Sequence, residues 1–320
     1  MSGLCEGRVA VVTGGGRGLG RAHAMALAAH GARVVVNDLG GAVDGSGASP
    51  GSPRNRGGGV RISRGGSAGP ADAVVEEIQG AGGVAVPNTD DCADWEGAQR
   101  LLQTALDAFG RLDVVVANAG ILRDRMLVNM TPDDWDGVMR VHLRGTFCTV
   151  QRAAAYWRER SKAGEAVDGR VICTSSAAGL YGNIGQANYA AAKAGIAAFT
   201  TVAAAELGRY GVTANAIAPA ARTRMTEELF ADHMRPPERG FDVMAPENVS
   251  PVVVWLASTA SRGVTGRVFE VMGGRLGLAD GWSHGPALDH DGAFDPAEIG
   301  EAVERLVGEA REPTPLLGAG

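Results

Sequence analysis

The segment Val9-Ala10-Val11-Val12-Thr13-Gly14-Gly15-Gly16-Arg17-Gly18-Leu19-Gly20 decides the fold. It opens as a short apolar run, turns through a cluster of glycines and leads into an Ala-rich helical stretch over 18–30. A strand that is apolar on both faces has to be covered on both. Glycines at its end allow a tight turn, and they let a pyrophosphate approach backbone N–H groups at the positive end of the following helix. A glycine-rich turn alone is weak evidence; its place between a first strand and a first helix is the context the motif requires. Dinucleotide contacts are therefore expected at Gly14, Arg17, Gly18, Leu19 and Gly20.

Outward from this segment the rhythm repeats. Short apolar runs at 33–38, 84–87, 112–117, 170–175, 212–217 and 267–271 alternate with helical stretches near 70–80, 94–109, 133–160, 186–209 and 247–259. The pattern predicts an α/β fold, a single Rossmann-type doubly wound parallel sheet of about seven strands with helices on both faces, over residues 1–275. Residues 40–70 break the rhythm with Gly, Ser, Pro and Arg, which predicts a long surface loop. Arg54, Arg56, Arg61 and Arg64 give that loop a local charge of +4, which a phosphate-bearing substrate would feel and an uncharged one would not. Residues 276–320 are expected to be an extension rather than a second domain, with a short amphipathic helix over 296–309.

Composition narrows the function. A hydrophobic fraction of 45% over 320 residues rules out a disordered chain, and 48 glycines without a three-residue period rule out collagen. The net charge of −6 gives no general attraction to nucleic acid, and aromatics at 5% provide no stacking platform. Cys5, Cys92, Cys148 and Cys173 form no CxxC pair and have no His set at metal-ligand spacing, so they read as reduced thiols and no metal is expected. No apolar run reaches the roughly 18 residues of a membrane span. With no signal-type segment ahead of Arg8 and no peroxisomal tripeptide at Leu317-Gly318-Ala319-Gly320, a cytoplasmic location is expected.

The second strand run ends at Asn37-Asp38, some twenty residues past the glycine turn, where a carboxylate can accept both ribose hydroxyls of an adenosine. Arg17, inside the turn, could instead meet a 2′-phosphate. Asp38 outweighs it, since two anions within about 4 Å repel by several kcal/mol at intermediate dielectric. NAD is the expected cofactor. Tyr189 and Lys193 stand four apart on a predicted helix and share a face. A phenol with a reference pKa of about 10 is a poor base at neutral pH, and a neighbouring ammonium stabilises its phenolate. Lys193 is one of only two lysines, the other being Lys162, against 28 arginines.

The glycine spacing TGxxxGxG, Asn118-Ala119-Gly120, Ser176, and Tyr189-Ala190-Ala191-Ala192-Lys193 together resemble the short-chain dehydrogenase/reductase family, over about residues 6–274. The resemblance implies that Tyr189 is the general acid/base, that Lys193 lowers its pKa and binds the nicotinamide ribose, and that Ser176 orients the substrate oxygen. Ser175 is the alternative serine, disfavoured by spacing. It also implies cofactor contacts at Asp91, Cys92, Asn118, Gly120, Tyr189, Lys193, Ala221 and Thr223. The sequence departs from the family pattern at two places. His142 stands where the family usually has a water-holding Asn, and a proton-relay role is expected for it; Pro219-Ala220 replaces Pro-Gly.

Several segments look like the dehydrogenase part of peroxisomal multifunctional enzyme type 2: Asn37 to Gly41, Gly120 to Arg125, Val141 to Phe147, and Gly185 to Tyr189. The resemblance implies an NAD-dependent dehydrogenase acting on a secondary alcohol or ketone, with a (3R)-3-hydroxyacyl-CoA preferred and a 17β-hydroxysteroid or steroid-CoA close behind. Two rivals stand beside it: an NADPH-dependent 3-oxoacyl carrier-protein reductase, which Asp38 opposes, and a catalytically silent dinucleotide-sensing protein, which intact Ser176, Tyr189 and Lys193 oppose. The resemblance also implies a homodimer or homotetramer, with which the small-residue-rich helices over 136–160 and 186–209 are consistent.

Overall fold

A computed structural model describes residues 3–47, 69–223, 235–290, 292–296 and 299–316. The loop arginines Arg54, Arg56, Arg61 and Arg64 lie outside the described residues, so the electrostatic expectation placed on them does too. Val-rich runs form the strands β1 (Val9–Thr13), β2 (Arg33–Asn37), β3 (Val84–Asn88), β4 (Val114–Ala117), β5 (Gly169–Thr174), β6 (Val212–Pro219) and β7 (Val268–Met272). They build one sheet in the order β3-β2-β1-β4-β5-β6-β7, parallel throughout. An eighth strand, β8 (Arg275–Ala279), adds antiparallel to β7. The expected count of about seven is thus one short, because Gly273-Gly274 turns the chain straight back onto the edge of β7. The boundary drawn at 275–276 falls inside this strand.

Both faces of the sheet are buried, and the strand period of two divides the core between them. Ala10, Val12, Val34 and Val36 face one core cluster, with Leu27 of α1 (Gly18–Ala29), Ile78 of α2 (Pro70–Gly80) and Leu256 of α8 (Ser250–Ala257). Val9, Val11 and Val35 face the other, with Leu101 of α3 (Trp95–Phe109), Trp157 of α5 (Gly145–Lys162) and Ile196 of α7 (Ala187–Leu207). Burying Val side chains at both faces supplies roughly 1.5–3 kcal/mol for each one removed from water. That continuous apolar pattern fixes the sheet as an inner layer.

Local signals set the helix ends. Asp94 caps α3 by accepting from the Gly97 N–H at 2.7 Å, and Gly110 closes the helix in the left-handed conformation. Thr131 and Asp134 form a capping box at the start of α4 (Pro132–Met139). One continuous helix is expected near 133–160; the structure instead inserts a π-turn at Arg140–Arg144 between α4 and α5. Such turns break the i→i+4 ladder, and this one contains His142. Ala187–Tyr210, which is α7 plus its terminal turn, reaches the length and mean hydropathy of a membrane span, at 1.2. It packs along β5, β6 and the short α6 (Ala177–Tyr181) as a layer of the fold. The last helix, α9 (Ile299–Glu309), lies within the amphipathic segment expected at the C-terminus.

Candidate active site

The strand order reverses between β1 and β4, and at such a switch point the carboxyl ends of the strands leave a crevice. The glycine turn follows β1 there. A Cβ on Gly20 would lie 2.0 Å from the Gly14 carbonyl oxygen, so only glycine lets α1 start against the turn. Gly14 itself has φ +62, and its face is closed by the Ala119 backbone. Asn118 donates through Nδ2 to the carbonyls of Thr13 (3.1 Å) and Gly14 (3.3 Å), while the Thr13 hydroxyl accepts from the Asn118 and Ala119 N–H groups. The turn and the end of β4 are thereby one unit. The Thr223 side chain lies over Gly18, bringing the end of β6 to the same place, and Ala221 is buried in the core below.

At the end of β2, Asp38 turns both carboxylate oxygens on backbone donors: Gly16 N–H at 3.0 Å and Gly40 N–H at 2.8 Å. A Cβ on Gly16 would strike that carboxylate, so Asp38 lines the glycine turn directly. Arg17 reaches the other way and donates to the Gly41 carbonyl at 3.1 Å. Asp91 is ion-paired to Arg140 and accepts from the Ala93 N–H. The Cys92 side chain does not join this group; it is buried in the core cluster with Leu101 and Trp157, and burial pushes its thiol up to about 12.

The second group assembles at the ends of β4 and β5. Ser176 caps α6, accepting from the Ala178 N–H at 3.2 Å, and its side chain lies close enough to Tyr189 to lower the phenol. Neighbouring Ser175 points away and donates to the Lys193 carbonyl at 2.9 Å, so the serine facing the tyrosine is the one the spacing selected. Lys193 is buried and donates through Nζ to the Thr174 carbonyl at 2.6 Å, with Nζ 5.4 Å from the Tyr189 ring centroid. His142 meets the same ring edge-on at 5.1 Å. Gly120 is required beside it, since a Cβ there would lie 2.4 Å from the imidazole Cε1.

Burial weighs on the ionisation of this group. Desolvation dominates: it pushes Tyr189 up to about 12, against a lowering by the Ser176 hydrogen bond, and Asp124 raises it further. Burial draws Lys193 down to about 7. At neutral pH the phenol therefore holds its proton. His142 is likewise drawn down to about 3 by burial and by Lys193, so its imidazole is neutral. Its Nε2 faces both the Ile121 carbonyl (2.7 Å) and the Ile121 N–H (3.1 Å), while Nδ1 is buried without a partner among the described residues. Any relay through His142 would run between neutral tautomers; its visible work is to hold the backbone beyond Gly120.

Sequence reasoning passed over the residues that steady Tyr189. Asn188, fully buried, donates to the carbonyls of Arg123 (3.0 Å) and Asp134 (3.1 Å) and accepts from the Tyr189 N–H at 2.7 Å. Gln186 donates to Asp124 at 2.7 Å. These partners are mostly backbone carbonyls, which carry no sequence signature; the Gln-Ala-Asn-Tyr run was the available hint.

A Rossmann-type sheet with a glycine turn at its switch point, and a Ser-Tyr-Lys group across the crevice, defines a class of dinucleotide-dependent oxidoreductase. The family model described as short chain dehydrogenase matches residues 56–234. The chain belongs to that family. It is 44% identical over 301 residues to hydroxyacyl-CoA dehydrogenase ChsB1 of Mycobacterium tuberculosis, covering 92% of this chain and 86% of that protein. To peroxisomal multifunctional enzyme type 2 of Mus musculus it is 46% identical over 272 residues, 85% of this chain. It spans only about a third of that longer protein, 32%. The crystal structure of a short chain dehydrogenase from Mycobacterium avium superposes with a TM-score of 0.85 at 54% identity, covering 99% of this chain and all of that one.

Proposed function

We propose that this oxidoreductase interconverts a secondary alcohol and its ketone with NAD, with a (3R)-3-hydroxyacyl-CoA as the preferred substrate and a 17β-hydroxysteroid or steroid-CoA as the next. The observation that carries the reading is the grouping of Ser176, whose side chain lowers the Tyr189 phenol, with Lys193 Nζ 5.4 Å from the Tyr189 ring centroid and held there by the Thr174 carbonyl. The likeness to a hydroxyacyl-CoA dehydrogenase over most of both chains supports the substrate class.

In this reading Ser176 orients the substrate oxygen and Tyr189 moves its proton. A phenol pushed up to about 12 is ready to donate, which suits ketone reduction directly; alcohol oxidation needs the same group as phenolate and is favoured by rising pH. The bound dinucleotide supplies or accepts the hydride. Residues that fit it are present: the glycine turn from Gly14 to Gly20 offers backbone N–H groups where no Cβ intrudes, with Asn118, Gly120 and Thr223 beside it. Asp38 at the end of β2 favours ribose hydroxyls over a 2′-phosphate, and Arg17 is already engaged by Gly41. Asp91 sits farther along the same side, where Arg140 balances its charge. In this reading Lys193 would meet the nicotinamide ribose. His142 holds Ile121, and with it the backbone after Gly120. The enzyme works in this reading as a homodimer or homotetramer in the cytoplasm.

The test is a panel of 3-hydroxyacyl-CoA thioesters, 17β-hydroxysteroids and acyl-carrier-protein thioesters, each with NAD and NADP. Highest kcat/KM for a hydroxyacyl-CoA with NAD is expected. Highest kcat/KM for a 3-oxoacyl carrier-protein substrate with NADPH would replace this reading with the reductase, and no turnover of any substrate alongside tight dinucleotide binding would favour a sensing protein.

A further inference from the structure

The segment after β4, Ile121 to Arg125, is bonded residue by residue to two different parts of the molecule. On one side lies the beginning of the loop after β2. Leu122 N–H donates to the Val43 carbonyl at 3.0 Å, Arg123 Nε donates to the Asp44 carbonyl at 2.8 Å, and Gly45 lies against the Ile121 side chain. On the other side lies the catalytic region. His142 Nε2 faces the Ile121 backbone, Asn188 takes the Arg123 carbonyl, Gln186 donates to Asp124, and Arg125 N–H donates to the Gly185 carbonyl at 2.9 Å.

Residues 41–47 therefore form a strap. It leaves the end of β2, where Gly41 is held by Arg17, and it is fastened at the end of β4. Since β1 lies between β2 and β4, the strap crosses the carboxyl end of β1, where the glycine turn sits. Ala42 and Ser46 close it into a turn of its own, with Ala42 N–H donating to the Ser46 carbonyl at 2.8 Å. Arg123 is the side chain that anchors it. Its guanidinium bridges two backbone carbonyls from separate segments, Asp44 of the strap and Asp133 at the start of α4, the latter at 2.8 Å from Nη1. The packing against Gly137 is close enough that a Cβ there would lie 2.6 Å from Arg123 Nη1. A planar fork with several donors suits such a bracket better than a single ammonium does.

We propose that Arg123 is a positioning residue that fastens the strap 41–47 across the dinucleotide crevice and thereby sets dinucleotide affinity from outside the crevice. This rests on the dinucleotide reading above. The catalytic helix is held by different bonds, through the Arg123 main-chain carbonyl and Asn188, so removing the guanidinium loosens the strap and leaves Tyr189 in place.

The test measures NADH and NADPH binding by calorimetry, and kcat at saturating dinucleotide, in wild type, Arg123→Ala, Arg123→Lys and Arg125→Ala. Arg125 is an adjacent exposed arginine whose Nη1 donates to the carbonyl of its own neighbour, Asp124. Arg123→Ala should weaken NADH binding about tenfold with kcat within twofold of wild type, because tethering energy is expressed in binding rather than in the chemical step. Arg123→Lys, which can keep one of the two carbonyls, should fall between, and it carries the test if the alanine variant does not fold. Arg125→Ala should bind as wild type does. Unchanged affinity in both Arg123 variants, an equal loss in Arg125→Ala, or a fall in kcat as large as the fall in affinity would overturn the proposal. Wild type that binds neither dinucleotide would instead remove the reading on which it rests.

Discussion

The two halves of the crevice are built on different principles. On the β1 side the work is done by main chain and by missing side chains: the glycine turn, with Gly14 left-handed and Gly20 against its carbonyl. On the β5 side, in the proposed reading, it is done by side chains that handle protons, Ser176, Tyr189 and Lys193, drawn from a strand end and a helix, with Thr174, Ser175 and Asn188 bonded around them. The first half is broken by adding atoms. The second is broken by removing a single hydroxyl or amine with the shape unchanged. A side chain added to the glycine turn should therefore cost structure and binding together, whereas removing the Tyr189 hydroxyl should separate turnover from both.

The largest expected effect is on the β5 side. Lys193→Met should lower turnover by about 10²-fold or more, as loss of a group supporting acid/base catalysis does. It should also change the pH dependence of stability. Lys193 is held near 7 in the folded chain against an ordinary value of 10.5, so between those values the unfolded chain binds a proton that the folded one does not. The resulting penalty is absent above about pH 10.5, develops as pH falls toward 7, and is complete below it. Melting curves should show Lys193→Met gaining on wild type as pH is lowered from 10 to 7; a constant difference would contradict the buried amine.

On the β1 side, Gly20→Ala places a methyl 2.0 Å from the Gly14 carbonyl oxygen. Overpacking of this kind costs about 1–3 kcal/mol. A lower melting temperature and loss of NADH binding should appear together, and a variant that kept both would show that the turn is not the rigid element described. A smaller effect on this side comes from charge. Asp38→Ala should narrow the preference for NAD over NADP in kcat/KM about tenfold, chiefly by improving NADP; an unchanged ratio would shift cofactor choice onto Arg17.

The smallest effect belongs to the boundary between the halves. His142→Asn should alter kcat less than threefold, because an amide can serve both the Ile121 N–H and carbonyl. His142→Ala should lower stability and kcat by leaving those groups without a partner. A silent alanine variant would reduce His142 to packing.

The same contrast explains what could be read in advance. The β1 half was legible because its motif is contiguous, so the glycine turn follows from the twelve residues Val9 to Gly20 and the fold class from the repeat of the same rhythm along the chain. Tyr189 and Lys193 were legible as a pair through spacing, since i and i+4 share a helix face whatever surrounds them, and Ser176 only through the resemblance to the family pattern. The weight of burial on their ionisation was not, because it is supplied by distant elements, which push the phenol up and the amine down. Neither were β8 and the π-turn at Arg140–Arg144, where a double glycine and a local break in helix pairing overrode the period. At Cys92 the family pattern marks the position while the side chain belongs to the core, so any cofactor contact there falls to its backbone.

The central claim is that Tyr189 moves the substrate proton in a site whose shape does not depend on its hydroxyl. Tyr189→Phe, assayed for turnover of the best substrate and for NADH affinity in the same preparation, tests it most directly. Turnover should fall by 10²- to 10⁴-fold or more while NADH affinity and melting temperature stay near wild type. Turnover within tenfold of wild type would contradict it.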